Sequence, residues 1–140
     1  MQTQYDVIVI GAGSGGLTAA VGFSKVGKTV LLVEREHMGG ECTNTGCVPS
    51  KALLHAAKKG MSGPDAFSYV KNVVDNILSE ETPETFQNIG IDVVMGEAVF
   101  VSKNSIAVAD TTYTFKTAVI ATGSSPRMVD IDGLDEKHIL

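Results

Sequence analysis

Two cysteines and a crowd of glycines carry the chemistry open to this chain. Cys42 and Cys47 stand five positions apart in the run Gly39-Gly40-Glu41-Cys42-Thr43-Asn44-Thr45-Gly46-Cys47-Val48-Pro49-Ser50-Lys51. Thiols at that spacing, at the start of a helix, can close a small disulfide. The helix N-terminus can also activate them as thiolates. A structural zinc would need a second ligand pair beside them. The three histidines, His37, His55 and His138, are scattered and supply none, so no metal site is expected. Two unrelated buried thiols are the plain alternative.

The second feature is Gly11-Ala12-Gly13-Ser14-Gly15-Gly16, in which Gly11, Gly13 and Gly16 fit G-x-G-x-x-G. The first glycine permits a tight turn, the second lets backbone approach a pyrophosphate, and the third lets helix and strand pack closely. The helix that follows offers unpaired N–H groups and a positive dipole end to phosphates. Glu34, 23 positions after Gly11, is placed to accept both hydroxyls of an adenosine ribose. A 2′-phosphate there would be repelled, which favours FAD or NAD over NADP. A solvated strand-end acid is the plain reading of Glu34 taken alone.

These residues need elements to position them. Tyr5 to Ile10 is a continuous apolar run suited to a strand buried on both faces of a parallel sheet. Leu17, Ala20, Val21 and Ser24 share a helical face closed by Gly27, and Thr29 to Val33 is a second buried strand. The unit is β-α-β. His37 to Gly46 reads as loop, and Ser50 to Lys59 as helix with Pro49 in its first turn. After a break at Met61 to Pro64, Ala66 to Leu78 carries a helical stripe. Thr82-Pro83-Glu84 caps a short helix ending at Gly90. The period then changes to two: Ile91–Met95, Glu97–Val101, Ser105–Ala109 and Tyr113–Phe115 read as a β-meander. Thr117 to Ala121 is one more buried apolar strand, and Ser124 to Leu140 shows little periodicity. The expected class is α/β, a Rossmann-like FAD/NAD(P)-binding domain with a parallel sheet and a β-meander.

Composition narrows the partners. The 140 residues are 44% hydrophobic and 19% charged, enough for a real core. A net charge of −5 argues against a sequence-independent nucleic-acid binder. The N-terminal residues carry no positive segment, and the apolar run Val7 to Ile10 is too short for a signal peptide or membrane span. A soluble, cytoplasmic chain is expected, with no nucleic-acid and no membrane partner. Two cysteines in such a chain are no disulfide framework.

The cysteine segment closely resembles the redox-active site of the pyridine nucleotide-disulfide oxidoreductases, whose pattern G-G-x-C-x-N-x-G-C-x-P-S-K it matches at every fixed position. The glycine turn, Glu34 and Ala121-Thr122-Gly123-Ser124-Ser125-Pro126-Arg127 resemble the FAD domain of that family in the same order. The resemblance implies FAD as cofactor and a disulfide between Cys42 and Cys47. Cys47 would be the thiol facing the flavin, whose thiolate makes a charge-transfer contact. Cys42 would be the thiol that exchanges with substrate, and Lys51 a lysine beside the flavin. Gly11, Gly13 and Gly16 would hold the pyrophosphate and Glu34 the ribose. Gly40, Glu41 and Cys42 would follow the cofactor, Glu97 and Ala98 would meet the adenine, and Thr122 and Gly123 would pass close to it. A side chain at Gly123 would collide with it. Ser14, Gly15, Arg35 and Ala121 complete the implied cofactor contacts.

In the complete enzyme that the resemblance implies, NAD(P)H would reduce FAD, FAD the cysteine pair, and the dithiol a substrate. The substrate would be a small disulfide such as lipoamide or glutathione, or a metal ion such as Hg²⁺. The Thr-Asn-Thr version of the motif points toward the mercuric reductase and dihydrolipoamide dehydrogenase branches. Residues 1–140 are expected to be the N-terminal segment of the FAD-binding domain. Nicotinamide-binding and dimerisation domains are expected to lie outside it, and with them the homodimer and its His–Glu base; the chain alone is expected to be inactive. None of the three histidines is assigned a role. An incomplete domain should leave an exposed sheet edge or apolar face. The alternative is a non-catalytic nucleotide-binding or thiol-redox module acting with a partner.

Overall fold

The structure is a computed structural model and describes residues 2–125. Pro126, Arg127, His138 and the rest of the tail lie outside the described residues. In chain order the elements are β1 (Gln4–Ile10), α1 (Ser14–Lys25), β2 (Val30–Glu34), α2 (Gly40–Asn44), α3 (Cys47–Lys58), α4 (Gly63–Glu80) and α5 (Pro83–Asn88). Four strands follow: β3 (Ile91–Met95), β4 (Ala98–Ser102), β5 (Ser105–Val108) and β6 (Thr111–Ile120). They form one six-stranded sheet in the order β3-β2-β1-β6-β5-β4. The first four are parallel, and the β6-β5-β4 end is antiparallel. The class is the expected Rossmann-like α/β fold.

The core has two faces because strand side chains alternate. Val7, Val9, Val30, Leu32, Ile91 and Val93 meet Leu17 and Ala20 of α1 and Phe86 of α5 on one side. Ile8, Ile10, Leu31 and Val33 meet Ile106, Val108, Tyr113 and Phe115 on the other. Each strand of the β1-β2 pair is therefore covered twice, which is why both read as unbroken apolar runs. α1 places Gly16, Leu17 and Ala20 on the sheet, and its Ser24 hydroxyl donates to the Ile89 carbonyl at 3.1 Å.

Several expectations are corrected. Residues 37–46 are not all loop: Gly40–Asn44 forms the short helix α2. α3 begins at Cys47 rather than Ser50, with Pro49 still inside its first turn, and α4 begins at Gly63 with Pro64 at its start. Ile91–Met95 does not open the meander but lies parallel to β2 at the sheet edge. Ile91 and Val93 are buried on the α1–α5 side while Asp92 and Val94, on the opposite face, are half-buried, and this alternation mimics a meander strand. Tyr113–Phe115 and Thr117–Ala121 are one strand, β6. It pairs antiparallel with β5 up to Thr114 and parallel with β1 from there on. The polar Lys116 that seemed to divide it binds Asp6 Oδ1 at 2.7 Å. The end of β6 is less covered than expected, with Ile120 66% exposed. β4 forms the opposite sheet edge and exposes Val99, Phe100 and Val101.

Two outcomes follow from this frame. Ala109, in the β5–β6 turn, is the only non-glycine at positive φ among the described residues (49°). Left-handed backbone costs an alanine roughly 1–2 kcal/mol, against about 0.5–1 kcal/mol of extra chain entropy for glycine. Ala109→Gly should therefore raise the unfolding free energy by about 0.5 kcal/mol or more in urea titration. Asp6 is pulled down to about 2 by the hydrogen bond from Lys116 and then by the Thr29 backbone N–H. Its stabilisation is present above the ordinary carboxylate range and is lost as pH falls through about 2. Asp6→Asn should flatten the fall in melting temperature between about pH 4 and pH 2.

Candidate functional site

Parallel strands deliver their ligands at their carboxyl ends. Here β1, β2 and β6 end together at an open cleft of about 940 Å³. It is lined by Gly11, Gly13, Ser14, Gly15, Glu34, Arg35, Gly40, Glu41, Cys42, Glu97, Ala98, Ala121, Thr122 and Gly123 among the expected site residues. Glu36, His37, Asn44 and Thr45 also line it. Three expected site residues stand outside that lining: Gly16, Cys47 and Lys51.

The glycines divide into two groups by what a side chain would meet. A Cβ on Gly11 would drive into the Ala121 carbonyl, and one on Gly16 into the Gly11 carbonyl. Those two glycines pack backbone on backbone, and Gly11 also turns at φ 101°. Gly15 and Gly123 have no protein atom within 4 Å of the same position, and Gly13 has only Gly40 Cα at 3.8 Å. These three keep open space beside the start of α1. That start has no side-chain cap and no acid in its first turn. Unpaired N–H groups therefore face the cleft with no competing carboxylate, the arrangement a phosphate needs.

Glu34 sits half-buried at the end of β2. Its Oε2 accepts from the Ala12 N–H at 2.6 Å and its Oε1 from the Glu36 N–H at 2.8 Å. Both bonds fix the carboxylate at the mouth of the glycine turn. Each oxygen keeps a second acceptor direction.

The cysteine loop is fastened to the glycine turn. The Gly39 N–H donates to the Ala12 carbonyl at 2.9 Å, and Gly13 and Gly39 form an isolated parallel bridge. Gly40 sits at φ 59°, and a Cβ there would come within 2.7 Å of Gly13 Cα. Asn44 then pins the loop from inside: its Nδ2 donates to the Met38 carbonyl at 3.0 Å and the Gly40 carbonyl at 2.8 Å. Buried Thr43 donates to Glu81 Oε2 at 3.0 Å, tying α2 to the end of α4. The Thr45 and Gly46 N–H groups both return to the Glu41 carbonyl. That turn brings Cys47, at the start of α3, back beside Cys42.

Cys42 and Cys47 approach to 3.1 Å as free cysteines. The expected disulfide is not formed; a bonded pair would stand at about 2.05 Å. Hydrogen bonding with Cys47 holds the Cys42 thiol below its ordinary value. Burial opposes this, while the Ser14 hydroxyl and the Lys51 charge reinforce it. The same contact, together with Cys42's negative charge, pushes the Cys47 thiol up. Between the two thiols, the contact favours charge on Cys42 over Cys47. The resemblance put the flavin-facing thiolate at Cys47. Lys51, one turn beyond Cys47 on α3, lowers both thiols although it stands outside the cleft lining.

Thr43, Asn44 and Glu81 were not singled out from sequence for any role. Asn44 had a signal, as a fixed position of the cysteine pattern. Glu81 had none, since its partner lies 38 residues away. Among the described residues, no His, Cys, Asp and Glu cluster is arranged to hold a metal. No helix among them is long and apolar enough to cross a membrane.

The sequence profile of the pyridine nucleotide-disulphide oxidoreductases matches residues 5–140, and the chain belongs to this family. It is 40% identical to dihydrolipoyl dehydrogenase of Staphylococcus aureus over 141 residues, covering 86% of this chain and 30% of that protein. Mercuric reductase of Staphylococcus aureus is 32% identical over 153 residues, covering 97% of this chain and 28% of that protein. Among solved structures, the HOCl-induced flavoprotein disulfide reductase RclA from Escherichia coli superposes with a TM-score of 0.82 at 30% identity. That match covers 91% of this chain and 30% of the other. The chain thus spans about 30% of the length of the relatives it matches. The family is FAD-dependent. The residues present fit such a group: a large cleft, a glycine-lined helix start with space beside it, and a fixed acid at the end of β2.

The two glycine groups should separate by substitution. Gly40→Ala forces a strained φ and a backbone clash, and should cost about 1–3 kcal/mol in urea unfolding. Gly15→Ala enters open space and should stay within about 0.5 kcal/mol of the parent chain.

Proposed function

We propose that this chain is the FAD-binding, dithiol-bearing part of a flavin-dependent NAD(P)H oxidoreductase acting on a small disulfide or a metal ion such as Hg²⁺. The observation that carries the reading is the Gly13–Gly40 contact. It joins a phosphate-type cradle to a cysteine pair 3.1 Å apart on the edge of one cleft. The family match, and the disulfide and mercuric reductases among the relatives, support it.

When bound, FAD would supply the two-electron carrier between a nicotinamide donor and the cysteines. The chain's own residues do the rest. Gly13, Ser14 and Gly15 at the start of α1 receive the pyrophosphate, and Glu34 accepts the ribose hydroxyls. Arg35, Glu97 and Ala98 flank the adenine end, while Ala121, Thr122 and Gly123 leave room along the chain. Lys51 holds positive charge beside the thiols. In exchange with a disulfide, the Cys42 thiolate attacks one substrate sulfur. A Cys42–substrate bond forms, the substrate S–S bond breaks, and the departing thiolate takes a proton. Cys47, deprotonated in turn, attacks Cys42, forming the Cys42–Cys47 disulfide and releasing the second substrate thiol. The base for that second proton, the nicotinamide site and the homodimer belong to the complete enzyme.

The purified chain should show a thermal shift on adding FAD, and Glu34→Gln should weaken FAD binding about tenfold or more while the fold persists. A colourless protein whose melting temperature ignores FAD would refute cofactor binding by this chain. Mild oxidation followed by reduction should return two titratable thiols per chain. FAD binding with cysteines that never pair would instead leave a nucleotide-binding module.

A further inference from the structure

Ser14 stands at the junction between the glycine cradle and the cysteine loop. It is the first residue of α1, next to Gly13, and it lines the cleft together with Cys42. Cys42 lies two residues after Gly40, which is packed against Gly13. The Gly39 N–H bond to the Ala12 carbonyl and the Gly13–Gly39 bridge lock this spacing into the backbone. The start of α1 and the start of α2 therefore cannot drift apart without breaking backbone contacts. The hydroxyl of Ser14 is carried on one and the thiol of Cys42 on the other.

We propose that Ser14 serves the redox thiol as well as the cradle, its hydroxyl donating a hydrogen bond to the Cys42 sulfur and stabilising the thiolate there. The contact is consistent with the direction of Cys42's acidity, which Ser14 lowers alongside Cys47 and Lys51. A hydroxyl suits the task because it donates to a thiolate without adding a charge that phosphate would feel. Glycine or alanine at this position would leave the cradle open but remove the donor. The inference rests on the proposed exchange role of Cys42 only for its functional meaning; the contact itself is testable in the chain alone.

The test uses the full 140-residue chain in its reduced state, carrying Cys47→Ser so that Cys42 is the only thiol. Iodoacetamide is the probe. The Cys42 thiolate displaces iodide, the new C–S bond replaces C–I, and the thiol proton goes to solvent. The rate therefore follows the thiolate fraction against pH. Ser14→Ala should move the midpoint up by about half a pH unit or more, and Ser14→Thr should restore it. In the reciprocal Cys42→Ser chain, Ser14→Ala should leave the Cys47 midpoint in place. An unmoved Cys42 midpoint overturns the proposal, as does an equal shift in the alanine and threonine variants. If Ser14→Ala does not fold, Ser14→Gly is read by the same criteria. A normal Ser14 dependence with no substrate exchange would leave this contact standing and remove the exchange role instead.

Discussion

Gly13 and Gly40 face each other with no side chain between them, and the site depends on that approach. On one side lies the strand-turn-helix that presents N–H groups to an anion. On the other lies the short helix that carries Cys42. A single methyl group on Gly40 would wedge them apart. Similar contacts recur around the turn, where Gly16 packs on Gly11 and Gly11 packs on Ala121. Three segments distant in sequence thus converge through backbone alone. Backbone is the part of a protein least able to change rotamer, so the positions it fixes are rigid.

Charge is distributed along the cleft to match. Glu34 closes the β2 end of the cleft, held by two backbone N–H groups that orient it without neutralising it. The start of α1 carries no acid, leaving the middle for an anion. Lys51 lies behind the cysteines, where a positive charge favours thiolate. The chain is acidic overall at −5, yet the charges that matter locally are set one by one. Net charge therefore argued against a sequence-independent nucleic-acid binder without revealing the ligand.

Much of this was legible because its signals are local. The β1–turn–α1–β2 unit follows from an apolar run, three glycines and an acid in fixed order. The cysteine pattern is equally compact, and the cleft gathers most of the residues the two motifs nominated, Gly16, Cys47 and Lys51 excepted. What was hidden depends on distant partners. Ile91–Met95 alternates because its two faces are unequally covered, and nothing within those five residues says whether the neighbour runs parallel or antiparallel. β6 looked like two strands because Lys116 interrupts it, and the acid that accepts this lysine is 110 positions earlier. The α2 helix is short and glycine-led, below the length at which periodicity speaks. Thr43 and Glu81 meet only once α4 has folded back across the cysteine loop.

The way β6 joins β1 also bears on how the molecule comes into being. β1 is made well before its neighbour on one side, which arrives about a hundred residues later, with Gln4 beside Thr114 and Ile10 beside Ile120. Closing so long a loop carries an entropic cost before any contact is gained, so this pairing belongs to the slow part of folding. Ala121, which packs under Gly11, comes one residue after that strand ends. A nascent chain emerging from the ribosome can form its first β-α-β unit early, but that unit has an unfilled sheet edge and an unsupported turn. The order of synthesis thus completes the pocket only after everything between β1 and β6 has been made, and leaves the two thiols without their finished surroundings until then.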